Sequence, residues 1–355
     1  MKRCIGVTLV GVFSLIALDG GIRAQTVQQN PVDWPNWAYG YLTPLRPGDR
    51  VAPPCPSTTT DPRVCRAQTG PVPAAELYPD DESKRTLQDT AASFTRDEAY
   101  YEYGPADWYP GDHPPMPEIV ANGKESAGVR ACALCHYPNG QGKMENAPVA
   151  GLPAEYILQQ LDAFGRGERR NADPRKANTN EMAVYPHGLT DAEKNEIAEY
   201  FSSMPFRPWV RVVEAEEAPQ VIADGGLMVP IPGAPPIPLG QRIIEVPEYP
   251  ERTVMTRDPR GGFIAYVPVG SLAKGEELVT MGAGKTIQCG LCHGPELRGI
   301  AAIPGIAGRS TSYMMRQMWD FKQGTRVSPF MGPVTANLNA EDMLNIVAYV
   351  ASLTP

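Results

Sequence analysis

Two short stretches of this 355-residue sequence each place two thiols and an imidazole within five positions. The first stretch is "CALCH" and the second is "CGLCH", which follows it by 157 positions. The six residues are Cys132, Cys135, His136, Cys289, Cys292 and His293. Since the whole chain has only four histidines and seven cysteines, two such motifs indicate a chemistry that requires this spacing twice.

The Cys-x-x-Cys-His spacing is that of a c-type haem attachment site. The two thiols add across the vinyl groups of the macrocycle, and the adjacent imidazole binds the iron. A thioredoxin-like redox pair and half of a zinc site have related spacings. The first requires a βαβ context, which is absent here, and the second requires two cysteine pairs close together. We therefore predict two covalently bound haem c groups, attached to Cys132, Cys135, Cys289 and Cys292.

The two motifs belong to a longer internal duplication. A shift of 157 also superposes "AGLPAEYILQQLDAFGRGER" on "AGRSTSYMMRQMWDFKQGTR". The matched residues include Tyr156 with Tyr313, Gln160 with Gln317, and Phe164 with Phe321. The shift then falls to 149, which superposes "MAVYPHGLTDAEKNEIAEYFSSMP" on "MGPVTANLNAEDMLNIVAYVASLTP". Each copy is predicted to be one structural unit.

Apolar residues at three-to-four spacing predict short helices in each unit. The capping residues Ser, Thr and Asn and the terminating glycines set their ends. The predicted positions are a helix before each motif (near Glu118–Asn122 and Lys274–Met281), one ending at Gly167 or Gly324, and one beginning at Thr190 or Asn339. So few short helices leave space for a large apolar group at the centre of each unit.

The second axial ligand of each iron is predicted from the duplication. Of thirteen methionines, only Met182 and Met331 coincide when the two units are superposed, in a loop before the final helix. A thioether opposite histidine raises the reduction potential into the range of an electron carrier, although a methionine is more often core filler. His187 is the alternative in the first unit, but Ala336 stands at its place in the second. His113 is predicted to be a surface or packing histidine.

Both units resemble class I cytochrome c domains in the tandem di-haem arrangement of bacterial periplasmic electron carriers. The resemblance covers residues 116–204 and 271–355, and it is carried by the motif, the following helix, the methionine loop and the terminal "AEYFSSMP" or "VAYVASLTP". It implies a mainly α fold with two tandem haem domains. The long segments outside these ranges depart from the compact form of the family.

The resemblance also implies roles for individual residues. Each iron is expected to have one histidine and one methionine ligand, His136 with Met182 and His293 with Met331. Backbone carbonyls near Pro148 and Pro304 are expected to orient the two imidazoles.

The other segments are assigned from their composition. Residues 25–115 form an irregular arm rich in Pro and aromatic residues, expected to wrap over the first unit. Residues 205–270 form an insert of β-branched runs cut by Pro and Gly, which predicts short edge strands or an extended linker. The expected order is therefore signal peptide 1–24, arm 25–115, unit 1 at 116–204, insert 205–270 and unit 2 at 271–355.

The N-terminus predicts export to the periplasm. Lys2 and Arg3 precede an apolar run that is too short to span a membrane, and small residues near Ala24 are typical of a signal-peptide cleavage site. No later stretch is long and apolar enough to span a membrane. The two cysteines left in the mature chain, Cys55 and Cys65, are predicted to form a disulfide, with two free thiols as the alternative.

Charge and ligand set together define the expected function. A formal net charge of −8 argues against binding nucleic acid or an anionic membrane surface. Iron with both axial ligands has no position for a substrate, so we predict an electron carrier with no catalytic residue. The expected partners are a periplasmic dehydrogenase as donor, of which the chain could be the cytochrome subunit, and an oxidase or another cytochrome as acceptor. The alternative, a di-haem peroxidase, needs a displaceable ligand and an acid–base residue above the iron.

Overall fold

The computed structural model describes residues 35, 37–39, 77–78, 82–173, 176–224 and 226–355. The predicted signal peptide and the predicted disulfide lie outside these residues. Pro35–Pro355 form one compact unit. Within the described part of the chain, no helix is long and apolar enough to cross a membrane.

The described part of the arm contains short regular elements rather than a wholly irregular segment. These are β1 (Arg85–Thr86), β2 (Ser93–Phe94) and α1 (Arg96–Ala99). The arm contacts the insert as well as the first unit. Trp108 Nε1 donates to the carbonyl of Thr256 (2.7 Å), and Tyr100 Oη donates to the carbonyl of Val254 (2.8 Å). The prediction that the arm wraps over the first unit therefore omitted its packing against the insert.

The first unit is helical around its motif. Its helices are α2 (Glu118–Ala121), α3 (Cys132–His136), α4 (Ala154–Gly165), α5 (Ala177–Met182) and α6 (Asp191–Ser202). The predicted cap at Thr190 is confirmed, because its hydroxyl accepts the N–H of Glu193 and its own N–H donates to that carboxylate. Helix α4 ends at Gly165, two residues before the predicted position, and Gly167 (φ +74°) turns the chain beyond it.

The insert folds into a β-structure with its own apolar core. Its elements are β3 (Val210–Glu214), β4 (Glu217–Ala218), β5 (Val221–Asp224), β6 (Leu227–Pro230), β7 (Ile237–Pro238), β8 (Ile244–Pro247), α7 (Pro250–Thr256) and β9 (Phe263–Val267). Strand β9 pairs parallel with β3 and antiparallel with β8, while β5 pairs with β6 and β4 with β7. Tyr137 and Met144 of the first unit are buried in this core beside Phe263. The insert is thus packed on the first unit rather than extended between the two.

The second unit repeats the first with a longer opening helix. Its elements are α8 (Ser271–Met281), α9 (Gly290–His293), β10 (Gly299–Ile300), β11 (Ile303–Pro304), α10 (Thr311–Gln323), α11 (Met331–Thr335) and α12 (Ala340–Ser352). Helices α8 and α12 cross closely at Gly275, where a Cβ atom would lie 2.0 Å from the carbonyl oxygen of Asn345. The predicted cap of the last helix at Asn339 is confirmed.

Glu245 on β8 anchors the insert to the second unit. Its side chain is fully buried, and one carboxylate oxygen accepts hydrogen bonds from three donors at the start of α10. The donors are Ser310 Oγ (3.0 Å), Thr311 Oγ1 (2.7 Å) and the N–H of Ser312 (2.8 Å). The first turn of a helix has unsatisfied N–H groups and a positive dipole end, so a carboxylate is favoured there.

We expect Glu245→Ala to lower the free energy of unfolding by about 3–5 kcal/mol, because three buried donors lose their acceptor. Glu214→Ala is the matched control, since this exposed carboxylate accepts, among the described residues, only the N–H of Leu272 at the start of α8 (2.9 Å). That change should cost about 1 kcal/mol. Chemical denaturation followed by circular dichroism measures both values, and equal losses would contradict the anchoring role of Glu245.

Candidate functional site

The first motif lines a cavity together with the matched methionine. Cys132, Cys135 and His136 lie on α3, and they share this cavity with Met182 at the end of α5. Apolar side chains from α4 and α6 form its walls, among them Ile157, Leu161, Phe164, Ile197 and Phe201. The cavity encloses about 1320 Å³ of empty space, part of it open to solvent. A concave, largely apolar site with a few polar groups is typical of a site for a small molecule or cofactor.

Each motif histidine is oriented by a backbone carbonyl. His136 Nδ1 lies 2.8 Å from the carbonyl oxygen of Ala147, and His293 Nδ1 lies 2.8 Å from that of Pro304. A carbonyl can only accept, so Nδ1 carries the proton and Nε2 is left with a lone pair for a metal. Ala147 and Pro304 are separated by the repeat shift of 157. The carbonyl expected near Pro148 is thus that of the preceding residue, Ala147, while the carbonyl of Pro148 itself accepts from Arg309 Nη1 (2.7 Å).

Burial sets the protonation state of the motif side chains. It lowers the pKa of His136 and His293, so both imidazoles are neutral near neutral pH, the form that binds a metal. Burial also raises the pKa of Cys132 to about 12 and that of Cys289 to about 11. A thioredoxin-like pair instead requires a lowered thiol pKa. The polypeptide therefore keeps these thiols protonated, which is unlike a thiol–disulfide redox site.

The candidate axial ligands occupy the ends of short helices rather than the predicted loop. Met182 is the last residue of α5, and Met331, which is half-buried, is the first residue of α11. His187 is exposed and is not among the residues that line the cavity. His113 is half-buried with Nε2 3.2 Å from Asp107 Oδ1, which is a packing contact away from the cavity.

The second unit closes one end of the first cavity. Four residues of α10 line it: Tyr313, Arg316, Gln317 and Asp320. Arg169 and Arg170 of the first unit line the same end. Burial raises the pKa of Asp320 to about 7, so near neutral pH its carboxyl cancels only part of the positive charge of the three guanidinium groups. This end of the cavity therefore favours an anionic ligand group.

A buried hydrogen-bond network joins the two units with pseudo-twofold symmetry. Arg169 donates to Gln160 Oε1 (2.9 Å), Tyr313 Oη (3.0 Å) and Gln317 Oε1 (3.0 Å). Arg326 donates to Gln317 Oε1 (2.8 Å), Tyr156 Oη (2.7 Å) and Gln160 Oε1 (2.9 Å). We call these six residues the arginine network. Each member has its counterpart 157 positions away, and Arg169 and Arg326 also form an antiparallel backbone bridge.

Sequence reasoning matched the network residues without assigning them a role. The tyrosine, glutamine and arginine pairs all coincide in the superposed repeats. Polar residues that coincide in two copies of a helical unit are candidates for a shared interface, and this signal could have identified them.

The residues of the first cavity fit haem c. Its two thiols and its oriented imidazole lie on one short helix, and a thioether lies on another part of the wall. Apolar side chains of α4 and α6 line much of the rest, beside polar residues such as Glu145, Asn146 and Glu181. At the other end, the guanidinium groups can neutralise the two propionate carboxylates of a haem. The second unit has the same motif, the same carbonyl–imidazole contact and the matched methionine.

Comparisons with known proteins agree with this fit. Residues 120–205 match the family model "Cytochrome c". The chain is 25% identical over 242 residues to cytochrome c4 of Azotobacter vinelandii, a match that covers 66% of this chain and 89% of the relative. Residues 120–205 belong to the cytochrome c family, and the relatives support a class I cytochrome c. This cytochrome is of the tandem di-haem type and binds two haem c groups covalently.

Two further comparisons concern this cytochrome. It is 33% identical over 85 residues to the thiosulfate dehydrogenase electron acceptor of Stutzerimonas stutzeri (strain A1501), which covers 23% of this chain. That match spans only 39% of the relative's own length. Among solved structures, reduced recombinant cytochrome c4 from Pseudomonas stutzeri superposes with a TM-score of 0.41 and 21% identity, covering 62% of this chain and 93% of that chain.

Proposed function

We propose that this cytochrome transfers single electrons between redox proteins in the bacterial periplasm and is not itself an enzyme. The observation that supports this most is the matched pair of donors in each unit, a neutral imidazole with a free Nε2 and a methionine that coincides in the repeats. We assign the thioether bonds to Cys132, Cys135, Cys289 and Cys292, and the iron ligands to His136, Met182, His293 and Met331. Held by these residues, each haem would supply one-electron chemistry with both iron positions filled by side chains.

The residues of the chain then act by holding and shielding the two groups. The carbonyls of Ala147 and Pro304 fix the ring orientation of the two imidazoles. The apolar walls exclude water, and a low local dielectric is one of the means by which a protein sets the potential of haem iron. The arginine network fixes the position of one unit relative to the other. The distance for electron transfer between the two haems would therefore stay constant. The bound haem supplies the one-electron chemistry.

The partners follow from the relatives and from the predicted compartment. One relative is named as an electron acceptor of thiosulfate dehydrogenase, and another as the cytochrome subunit of a sulfide dehydrogenase. These names favour a periplasmic dehydrogenase as the electron donor of this cytochrome. An oxidase or a further cytochrome is then the acceptor.

Haem content and ligand binding test this proposal together. Protein purified from a host with cytochrome c maturation should contain two covalent haems per chain and should titrate reversibly by one electron per haem. Changing both Cys132 and Cys135 to alanine should leave one haem, in the second unit, as measured by intact mass and by the pyridine haemochrome spectrum. Reduced protein should not bind carbon monoxide, because both iron positions are filled. Stoichiometric carbon monoxide binding or peroxidase turnover would instead indicate a haem enzyme.

A further inference from the structure

Helix α10 of the second unit brings two charged residues to the first cavity that the corresponding helix α4 lacks. Arg316 and Asp320 lie one turn apart, each is 2% exposed, and both line the first cavity. Their counterparts in the repeat are Gln159 and Ala163. The arginine network is symmetric, whereas this pair belongs to one unit only. The second unit therefore supplies a buried carboxyl group to the first cavity, and the first unit supplies none in return.

Backbone contacts hold both side chains in place. Arg316 Nη1 donates to the carbonyl of Ala38 (2.5 Å), and its Nη2 donates to the carbonyl of Met144 (2.6 Å). Asp320 Oδ1 accepts the N–H of Ala172 (2.7 Å). A neutral carboxyl group can carry its proton on Oδ2, so this contact persists in both protonation states. Asp320 can therefore gain or lose a proton without moving.

The nearest charges to Asp320 are positive. Arg169, Arg316 and Arg326 favour its ionised form, but burial has the larger effect and raises its pKa to about 7. Arg170 lines the same end of the cavity. The carboxyl group thus lies between opposing influences of similar size, so a change of one charge in the cavity is enough to alter its protonation.

Lys176 is the other buried group beside this pair that titrates near neutral pH. Burial lowers its pKa to about 7, and it interacts with the buried ion pair of Lys143 and Glu145 (2.6 Å). Asp173, 1% exposed, lies in the same segment. Lys176 is not among the described residues that line the cavity, whereas Asp320 is.

The other helices packed on α10 add little charge near Asp320. Helix α11 contains no ionisable residue. The two carboxylates of α12 form ion pairs elsewhere, Glu341 with Lys274 (3.1 Å) and Asp342 with Lys285 (2.7 Å). The charges that decide the protonation of Asp320 are therefore the guanidinium groups and whatever the cavity holds.

A haem in the first cavity changes its charge by one unit when it gains an electron. The loss of one positive charge disfavours the carboxylate form of Asp320, so its pKa is higher in the reduced protein than in the oxidised protein. Between these two pKa values, Asp320 takes up a proton from solvent on reduction and releases it on oxidation. The potential of this haem must then fall as the pH rises through this window.

We propose that Asp320 of the second unit is the proton-binding group linked to electron transfer at the first haem. The proposal rests on the proposed function, in which a redox partner supplies the electron. One electron enters the first haem, a fraction of a proton from solvent binds Asp320, and both leave on oxidation. The second haem has no equivalent group, because Ala163 stands at the matching position.

Potentiometric titration of the di-haem protein tests the link. We expect reduction to raise the proton affinity of Asp320 by about tenfold, which corresponds to a fall of about 60 mV in the potential of the first haem between about pH 5 and pH 9. Met182→Ala identifies the first haem, since this change should move that potential and leave the other in place.

Asp320→Asn retains an acceptor for the N–H of Ala172 but cannot ionise. It should abolish the pH dependence of the first haem, keep its potential near the low-pH value of the unchanged protein, and leave the second haem unaltered. Asp320→Glu should restore the dependence. Asp162→Asn is the matched control, because it removes an exposed carboxylate of α4 next to Ala163. This control and Lys176→Met should both keep the dependence.

Infrared difference spectra of the unchanged protein supply a readout that a purely structural role would not produce. Reduction near pH 7 should generate the C=O band of a protonated carboxyl group. This band should shift in protein labelled with ¹³C at its aspartate carboxyl carbons, and it should be missing from Asp320→Asn. An unshifted band would assign the proton to the carboxylates of the haem and overturn the proposal, even if the variant failed to fold.

The proposed function and this inference fail in different ways. If neither haem exchanged an electron reversibly, the proposed function would be wrong. If both haems did so while Asp320→Asn kept the full pH dependence, or Lys176→Met abolished it, only the assignment of the proton to Asp320 would be wrong.

Discussion

Met331→Ala should lower the reduction potential of the second haem by more than ~100 mV, within the range of about 0.8 V that axial ligands span. A soft thioether favours the reduced iron, so its removal stabilises the oxidised state. The same change should open the second iron to carbon monoxide and halve the near-infrared sulfur-to-iron band of the oxidised protein. Met182→Ala should do the same to the first haem. Potentiometric titration and carbon monoxide difference spectra measure these effects.

Two controls make this prediction specific. Met281→Ala removes an exposed methionine at the end of α8 and should leave both potentials unchanged. His187→Ala should also leave both haems unchanged, because this side chain is exposed. If Met182→Ala were silent while His187→Ala altered the first haem, the first iron would have two histidine ligands, and the two haems would differ in role.

Local chemistry and the duplication made part of the site predictable. The cysteines and histidines are contiguous in sequence, so their spacing alone indicates the attachment chemistry. Met182 and Met331 are distant from the motifs, and only their coincidence in the two repeats distinguishes them from eleven other methionines. The helix caps at Thr190 and Asn339 were predictable because a cap is set by neighbouring residues.

Other features were missed because they depend on backbone geometry or on distant contacts. The sequence could not indicate that Ala147 orients His136, because every residue type has a backbone carbonyl. Only the position of the residue in the repeat distinguishes it. The insert was underestimated because its core is completed by Tyr137 and Met144 of the first unit, which its own sequence cannot indicate. Leu134 and Leu291 occupy the same position of the two motifs, yet they are 8% and 69% exposed. The motif alone cannot indicate this difference, because the arm and the insert pack beside the first motif.

The arginine network could not be predicted from any single motif, yet we expect it to provide much of the stability of the interface between the two units. Arg169 and Arg326 are each buried, and each bonds to residues of both units. Truncating one arginine removes the guanidinium donor of one buried tyrosine hydroxyl and one of the two guanidinium donors of each glutamine oxygen. Each unsatisfied buried polar group costs about 1–3 kcal/mol. Since each arginine makes three such bonds, its role in joining the units can be measured as a change in stability.

We expect Arg326→Ala to lower the free energy of unfolding by about 3–5 kcal/mol, and Arg169→Ala to do so by a similar amount. The double variant should lose more than the sum, because both guanidinium groups donate to the same oxygen atoms of Gln160 and Gln317, and each oxygen loses both donors only when both arginines are removed. Denaturant titration of the four proteins gives this coupling energy. Arg326→Lys should recover little, since an ammonium cannot present two parallel N–H groups.

Arg298→Ala is the matched control for this cycle. Its guanidinium is exposed and paired only with the exposed carboxylate of Glu296 (3.2 Å) among the ion pairs of the described chain. Such a surface pair contributes about 0–1 kcal/mol, so its loss should scarcely move the denaturation midpoint. Strict additivity of the Arg169 and Arg326 losses would mean that the two guanidinium groups act independently. The symmetry of the network would then reflect the duplication alone and not a shared interface function.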